Sequence, residues 1–374
     1  MRVLHIYKTS RPTTFGGVET FIDTLCKADS KLGVINSVLT MNFEPEQNPL
    51  AMEGYTVYQA KQNLYVASTG FSLIAFKKFA ELAQKNDIIH YHFPNPFADI
   101  LHSICAPEKP SIVTYHSDVV RQQYLRLIYK PLQHRFLSSV DHIVATSPNY
   151  FSTSPVLQEH ANKVSIIPIG VDQRMYEAAS SERLEFWRNR LSTPFFLFVG
   201  ALRYYKGLIF LLKAVAETDI NIVIAGGNGI EDELKTYAAS LSLNNVHFLG
   251  CISEEDKVAL LHLCYCFIFP SHIRSEAFGV SILEAAMVGK PIISAEIGTG
   301  TSFVNIADKT GIVVKAGSTD ELRSAMQSLL DNPDVALQMG KNAKKRAKKL
   351  FTAEKQAESY FKLYENLLSD RIVT

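Results

Sequence analysis

Short, continuously apolar runs alternate along the chain with longer stretches whose apolar positions fall three and four apart. Val3 to Tyr7, Ile88 to Tyr91, Ser111 to Tyr115, His142 to Thr146 and Val164 to Pro168 read as strands in the first half. Phe195 to Val199, Asn221 to Ala225, Val246 to Leu249 and Cys264 to Phe269 do so in the second. Helical spacing follows the first run of each half, from about Gly17 to Leu32 and from Leu208 to Ala216. Strands that are apolar throughout belong to parallel sheets covered on both faces, because a half-exposed strand would alternate. The repeated opening therefore predicts an α/β chain of two Rossmann-like domains, over 1–180 and 181–352. Their junction is expected in the polar stretch between Asp172 and Pro194. A closing segment, 353–374, carries Ala357, Tyr360, Phe361, Tyr364, Leu367 and Leu368 at helical spacing and needs a partner surface.

Composition narrows the function. A chain of 374 residues is long enough for two cores. With 38 basic against 37 acidic residues, net electrostatics implies no nucleic-acid partner. The opening from Met1 to Lys8 is too short and too polar for a secretion signal, and no run approaches the ~18 apolar residues of a membrane span. The five cysteines lack metal spacing, so they read as reduced thiols of a cytoplasmic protein. The absence of any Asp-x-Asp segment or His/Cys cluster points to chemistry without a metal.

The richest segment is Ser275-Glu276-Ala277-Phe278-Gly279-Val280-Ser281-Ile282-Leu283-Glu284. A strand ends at Pro270-Ser271, a loop carries Glu276, and a helix is expected to begin near Phe278 or Gly279. The first amides of that helix have no intrahelical acceptor and form an anion site. Glu276 stands at its mouth, and Glu284 lies about two turns into the helix. Phosphate held between two carboxylates suits a nucleotide-sugar. Arg203 and Lys206 occupy the loop after the first strand of the second half, where ligands of open α/β sheets bind. Together they could neutralise a departing diphosphate. Gly16 and Gly17 close a long polar loop, Lys8 to Phe15, and glycine there would admit a phosphate or sugar. Glu19 reads as a first-turn acid favouring the helix dipole. His90 and His92 read as packing or hydrogen-bonding residues.

These segments resemble the retaining, family-4 type glycosyltransferases of the GT-B fold. Gly16-Gly17-Val18-Glu19, Tyr115-His116-Ser117-Asp118, Gly200 to Gly207 and the glutamate segment carry the likeness, which spans nearly the whole chain. Within that group the chain is most similar to bacterial O-antigen mannosyltransferases. The resemblance implies two Rossmann-like domains facing across a central cleft, with the last helix returning to the first domain. It implies roles in catalysis for Glu276, Arg203, Lys206 and His116, the last beside the transferred sugar. Gly16, Gly17, Gly227, Ile252, Phe278, Gly279, Val280 and Glu284 would bind the donor, Ile252 at the base and Glu284 at the ribose. The expected reaction moves a hexose, mannose from GDP-mannose, onto a lipid-linked glycan in O-antigen synthesis, with no cofactor and no metal. A UDP-sugar donor and a nucleotide-sugar epimerase are the alternatives.

One further stretch bears on location. From Val119 to Val140 the chain carries Arg121, Arg126, Lys130 and Arg135 and no acid, interleaved with apolar residues, and Pro131 is expected to kink it. Such a stretch either packs its apolar stripe inward or rests on the anionic cytoplasmic face of the inner membrane.

Overall fold

The computed structural model describes residues 1–66, 69–118, 123–191 and 193–370. The chain divides into two compact units, Met1–Gly170 with Ala353–Thr374, and Val171–Thr352.

In the first unit β1 (Arg2–Ile6), β2 (Ile35–Asn42), β3 (Leu50–Met52) and β4 (Tyr55–Lys61) are followed by a separate hairpin, β5 (Leu64–Val66) and β6 (Thr69–Phe71). β7 (Ile88–Phe93), β8 (Ser111–Tyr115), β9 (His142–Ala145) and β10 (Val164–Ile166) complete an eight-stranded sheet of order β10-β9-β8-β7-β1-β2-β4-β3. All its pairs are parallel except β3–β4. The core strands β7 and β8 are buried at every position. Polar residues therefore end up inside as well: His5, His90 and His92 are fully buried.

The second unit holds β11 (Phe195–Val199), β12 (Asn221–Ala225), β13 (Val246–Gly250), β14 (Cys266–Phe269), β15 (Ile292–Glu296) and β16 (Gly311–Lys315). Their order, β13-β12-β11-β14-β15-β16, is wholly parallel and is the doubly wound Rossmann arrangement. Its direction reverses between β11 and β14. The loops leaving those two strands cannot cover one another there, and a crevice forms at their carboxyl ends.

Two sequence expectations change. The division falls between Gly170 and Val171, ahead of the expected 180. The Val171 amide already donates to Phe351 O at 2.9 Å, and Tyr176 is bonded to Glu284, so 171–180 are built into the second unit. Pro131 does not interrupt its helix, which runs unbroken from Gln123 to Ser139. The helix Ala353–Asp370 packs on the helix Gly17–Asp29 through buried Ala357, Tyr360 and Tyr364. Among the described residues no helix is long and apolar enough to cross a membrane.

The buried polar groups give the first unit a pH signature. Burial lowers His5 to about 4 and His116 to about 3, and drives His90 and His92 well below the ordinary 6.5. Below about 6.5 the unfolded chain takes up protons that these folded histidines refuse, so stability falls with falling pH. Burial raises Asp29 and Asp99 to about 8, which has the opposite sign: stability is lost as pH rises toward 8. Four histidines outweigh two aspartates on the acid side. Thermal melting should show greatest stability near about pH 6.5 and a steep acid limb, each histidine contributing up to about 1.4 kcal/mol per pH unit. Stability that kept rising as the pH fell toward about 4.5 would contradict neutral buried histidines.

Candidate active site

The crevice of the second unit is built from backbone pressed on backbone. Leu202 N donates to Gly227 O at 3.0 Å, Ile230 N to Leu202 O at 2.9 Å, and Gly226 N to Gly250 O at 2.7 Å. A Cβ on Gly226, whose φ is +139°, would stand 1.9 Å from Gly200 O, and one on Gly229 would stand 1.7 Å from Leu202 O. Only glycine permits that approach. The loops after β11, β12 and β13 are therefore locked together. Gly227 itself is buried beside Cys251, and Ile252 sits half-buried in the loop that follows β13.

The loops after β11 and β14 meet at the reversal point. Tyr204–Lys206 form one short turn, and His272 N donates to Tyr205 O at 3.0 Å. Lys206 is 9 % exposed, and its ammonium bonds directly to a carboxylate oxygen of Glu276. Its Nζ lies 4.6 Å from the centre of the Phe269 ring and 5.5 Å from that of Tyr205. Burial, reinforced by the nearby Glu276 charge, pushes the Tyr205 phenol up to about 12. The two cations of this loop differ: Arg203 is exposed and Lys206 is buried. A lysine at the end of an apolar strand can turn its stem along the ring of Phe269 and reach a carboxylate inside.

Gly279 starts the next helix, Val280–Val288, from the left-handed conformation at φ +84°. The amides of Val280 and Ser281 open its first turn and have no intrahelical acceptor. Phe278 is buried against the loop after β15, where Gly300 N donates to Ala277 O at 2.8 Å. Because the helix starts at Val280, Glu284 lies about one turn in, not the expected two. It is 7 % exposed, and its Oε1 accepts from Tyr176 Oη and from Lys257 Nζ, both at 2.8 Å. Lys257 also bridges to Glu254 at 2.7 Å. Burial alone would lower the Lys257 ammonium, but Glu284 and Glu254 outweigh it and raise it. One carboxylate thus meets a single cation at the crevice, and the other is fixed by a phenol and a second cation.

In the first unit Gly16 caps the helix Gly17–Asp29 and Gly17 begins it. A Cβ on Gly17 would meet nothing within 4 Å, so packing does not require glycine there. On Gly16 it would meet the Glu19 carboxylate at 2.4 Å. Glu19 does more than favour a dipole: it is buried, and its Oε1 accepts from Thr9 and Thr14 hydroxyls at 2.7 and 2.9 Å, tying down the loop before it. His116, 8 % exposed, directly follows β8, and its Nε2 lies 3.1 Å from His92 Nδ1.

The structure therefore brings Arg203, Lys206, Glu276, Phe278, Gly279 and Val280 onto adjoining loops, with Glu284 below them. Residue spacing gave no hint of Tyr176 or Lys257, which come from distant segments. The loop Gly298-Thr299-Gly300 was overlooked although its glycines follow an apolar strand.

Both units carry a doubly wound sheet, and the second has a charged crevice at its reversal point. The chain matches the model described as "Glycosyl transferases group 1" over residues 182–346 and that described as "Glycosyltransferase Family 4" over residues 15–174. It is 51 % identical over 353 residues to the D-rhamnosyltransferase WbpZ of Pseudomonas aeruginosa, covering 94 % of this chain and 93 % of that protein. It is 43 % identical over 371 residues to the O-antigen chain mannosyltransferase C of Escherichia coli, covering 99 % and 100 %. It belongs to this glycosyltransferase family. The fold is similar to that of a sucrose-phosphate synthase from Thermosynechococcus elongatus (TM-score 0.83, 19 % identity, 99 % of each chain covered). Another similar structure is Anabaena HepE in complex with UDP-glucose (TM-score 0.77, 18 % identity, 98 % of this chain and 100 % of that one).

The two cations should separate in a stability measurement. Lys206→Ala leaves a buried carboxylate without its partner and should cost about 3 kcal/mol or more. Arg203→Ala, on the surface, should change stability by less than about 0.5 kcal/mol. Adding Glu276→Gln to Lys206→Ala should recover much of the loss in chemical denaturation. An unchanged midpoint in Lys206→Ala would show that the pair contributes nothing to the fold.

Proposed function

We propose that this enzyme transfers mannose from GDP-mannose, with retention at the anomeric carbon, to a lipid-linked glycan during O-antigen assembly. The observation that carries this reading is near full-length similarity to a mannosyltransferase and to a D-rhamnosyltransferase. D-rhamnose is 6-deoxy-D-mannose, so a shared site would read the manno configuration common to both. The higher identity to the rhamnosyltransferase supports a second reading, in which the 6-deoxy sugar is the donor.

In the reaction the bond from the anomeric carbon to the β-phosphate oxygen breaks and a bond to an acceptor hydroxyl oxygen forms. The hydroxyl proton passes to the leaving phosphate. Negative charge grows on that phosphate while the sugar approaches an oxocarbenium ion. Arg203, Lys206 and the amides of Phe278, Gly279 and Val280 would stabilise the leaving group. Glu276, already paired with Lys206, would bind sugar hydroxyls, and Glu284 the ribose. The Lys206–Glu276 contact would set both groups in place before the donor arrives, and the diphosphate would then share the ammonium. Gly16 and Gly17 would admit a ligand group on the first unit, and Gly227 and Ile252 would line the donor's phosphate and base on the second. With these cations in place no metal is needed.

A product assay should decide the donor: GDP-mannose, GDP-D-rhamnose and UDP-sugars are offered with a lipid-linked acceptor, and the anomeric configuration is read by NMR. A GDP-linked manno sugar should be used and EDTA should leave the rate unchanged. Arg203→Ala should cut turnover about a hundredfold, the scale of one lost charge donor. Turnover of UDP-sugars alone, or a strict need for Mg²⁺, would refute this reading.

The acceptor's lipid favours peripheral attachment to an anionic membrane surface. Lys130 and Arg135 are exposed on the helix Gln123–Ser139, while Phe136 and Leu137 are buried beneath them. Arg121 and the side chain of Arg126 lie outside the described residues. Four such cations could contribute about 1 kcal/mol each, weakened by salt. Sedimentation with anionic but not neutral liposomes is expected, reduced by Arg126→Glu with Lys130→Glu. Equal binding to both liposome types would reject the attachment.

A further inference from the structure

Behind His116 a line of buried polar side chains crosses the first unit. Asn36 on β2, His5 on β1 and His92 on β7 are at most 2 % exposed. The Asn36 amide nitrogen donates to Cys26 O at 3.3 Å and to Asp29 Oδ1 at 2.6 Å. Its oxygen lies 3.2 Å from His5 Nε2. His5 Nδ1 lies 3.1 Å from His92 Nε2, and His92 Nδ1 lies 3.1 Å from His116 Nε2.

The direction of this line follows from its anchored end. A main-chain carbonyl can only accept, so the bond to Cys26 O turns the Asn36 oxygen toward His5. His5 must then donate from Nε2, which leaves its Nδ1 as an acceptor, because a neutral imidazole carries one proton. His92 must donate from Nε2 in turn and accept at Nδ1. His116 must donate from Nε2 as well, and its own Nδ1 keeps a lone pair. No partner for that atom occurs among the described residues. Reversing any ring would set two N–H groups, or two lone pairs, against each other in the interior, where an unmade hydrogen bond is costly.

The ring nitrogens of His5, His90 and His92 also meet the spacing of a metal site, within 4.8 Å. Both nitrogens of each ring are nevertheless taken, those of His90 by Tyr364 Oη at 2.8 Å and Thr114 Oγ1 at 2.7 Å. The cluster is a hydrogen-bonded scaffold. Burial, which lowers His116 to about 3, keeps it from becoming an imidazolium that would donate at both nitrogens.

We propose that Asn36, His5 and His92 are positioning residues that fix His116 as its Nε2–H tautomer. In that state its Nδ1 accepts a hydrogen bond from a sugar hydroxyl and disfavours a phosphate oxygen. The hydroxyl as ligand rests on the functional reading above, whereas the tautomer does not depend on it. An imidazole of this polarity offers no proton to an anion at Nδ1. His116 therefore serves the transferred sugar, and the diphosphate is left to Arg203 and Lys206.

The test is an ¹⁵N spectrum of histidine-labelled full-length protein, with His116 assigned by the signal missing in His116→Gln. His5, His92 and His116 should all show the Nε2–H pattern. GDP alone should leave the His116 Nδ1 resonance in place, and GDP-mannose should move it. His92→Phe should release His116 into a mixture of tautomers and lower kcat/KM about tenfold, the scale of one lost hydrogen bond. His92→Gln, whose amide can donate to His5 and accept from His116, should keep the tautomer and most of the rate. An Nδ1–H or doubly protonated His116 in the unaltered protein would overturn the proposal, even if His92→Phe fails to fold. So would an unchanged His116 spectrum in folded His92→Phe, or an equal Nδ1 shift with GDP alone. Should no nucleotide-sugar be turned over, the functional reading fails, while the tautomer pattern in the free protein still decides the relay.

Discussion

Lys206 and Glu276 place opposite charges side by side where little water reaches, with side chains 11 % and 12 % exposed. Removing either ion from water costs several kcal/mol, and the partner offsets that cost only in good geometry. Geometry here comes from the sheet. β11 and β14 are neighbours at the reversal point, so the turn that carries Lys206 and the loop that carries Glu276 leave the sheet side by side. Phe269, last residue of β14, gives the ammonium an aromatic face in place of solvent. The flanking loops approach one another closely at Gly226 and Gly229, where a Cβ would clash with the backbone. A crevice arranged this way holds a concentrated charge pair without any ligand, and so is organised before the donor binds.

The second carboxylate is held differently, and the difference suits a different task. Glu284 has Tyr176 and Lys257 as fixed partners, both on one oxygen, and sits in the buried stretch Ile282 to Met287 of its helix. Burial, strengthened by Glu284, raises the Tyr176 phenol far above its ordinary value, so it remains a donor and keeps the carboxylate oriented. A group so constrained can recognise a part of the ligand that does not change during reaction. Glu276, with the Lys206 ammonium as its one charged partner among the described residues, can respond to a part that does. In the proposed reaction, uniform binding would fall to Glu284 and transition-state binding to Glu276.

Much of this was legible in the sequence because it is local. The run Cys264 to Phe269, the Pro270 stop, the Gly279 start and the Gly289 end each declare themselves within a few residues, and the helix Val280–Val288 sits where they place it. What escaped is long-range or masked by polarity. β2 does not read as a buried strand because Asn36 and Thr40 interrupt it, yet both are 2 % exposed: the Asn36 amide is matched by His5 and Asp29. Tyr176 reaches Glu284 across 108 positions, and the Val171 bond to Phe351 that sets the unit boundary spans still more. The burial of Lys206 is not legible either, because spacing cannot show that Phe269 and Glu276 close around it.

The two units treat their ionisable groups in opposite ways, and this contrast follows from their cores. Around β11 and β14 charge is buried in pairs and kept. Along β1, β7 and β8 four histidines stay neutral, and two aspartates nearby are pushed toward the protonated form. A nucleotide-sugar has the same asymmetry, an anionic diphosphate joined to a neutral sugar. Ion pairs suit the first because they trade one partner for another at little electrostatic cost. Neutral hydrogen-bonding groups suit the second, since a fixed charge beside an incipient oxocarbenium ion would either repel it or trap it. A chain that must stabilise charge on a leaving group gains by keeping buried ion pairs on one sheet and neutral imidazoles along the centre of the other.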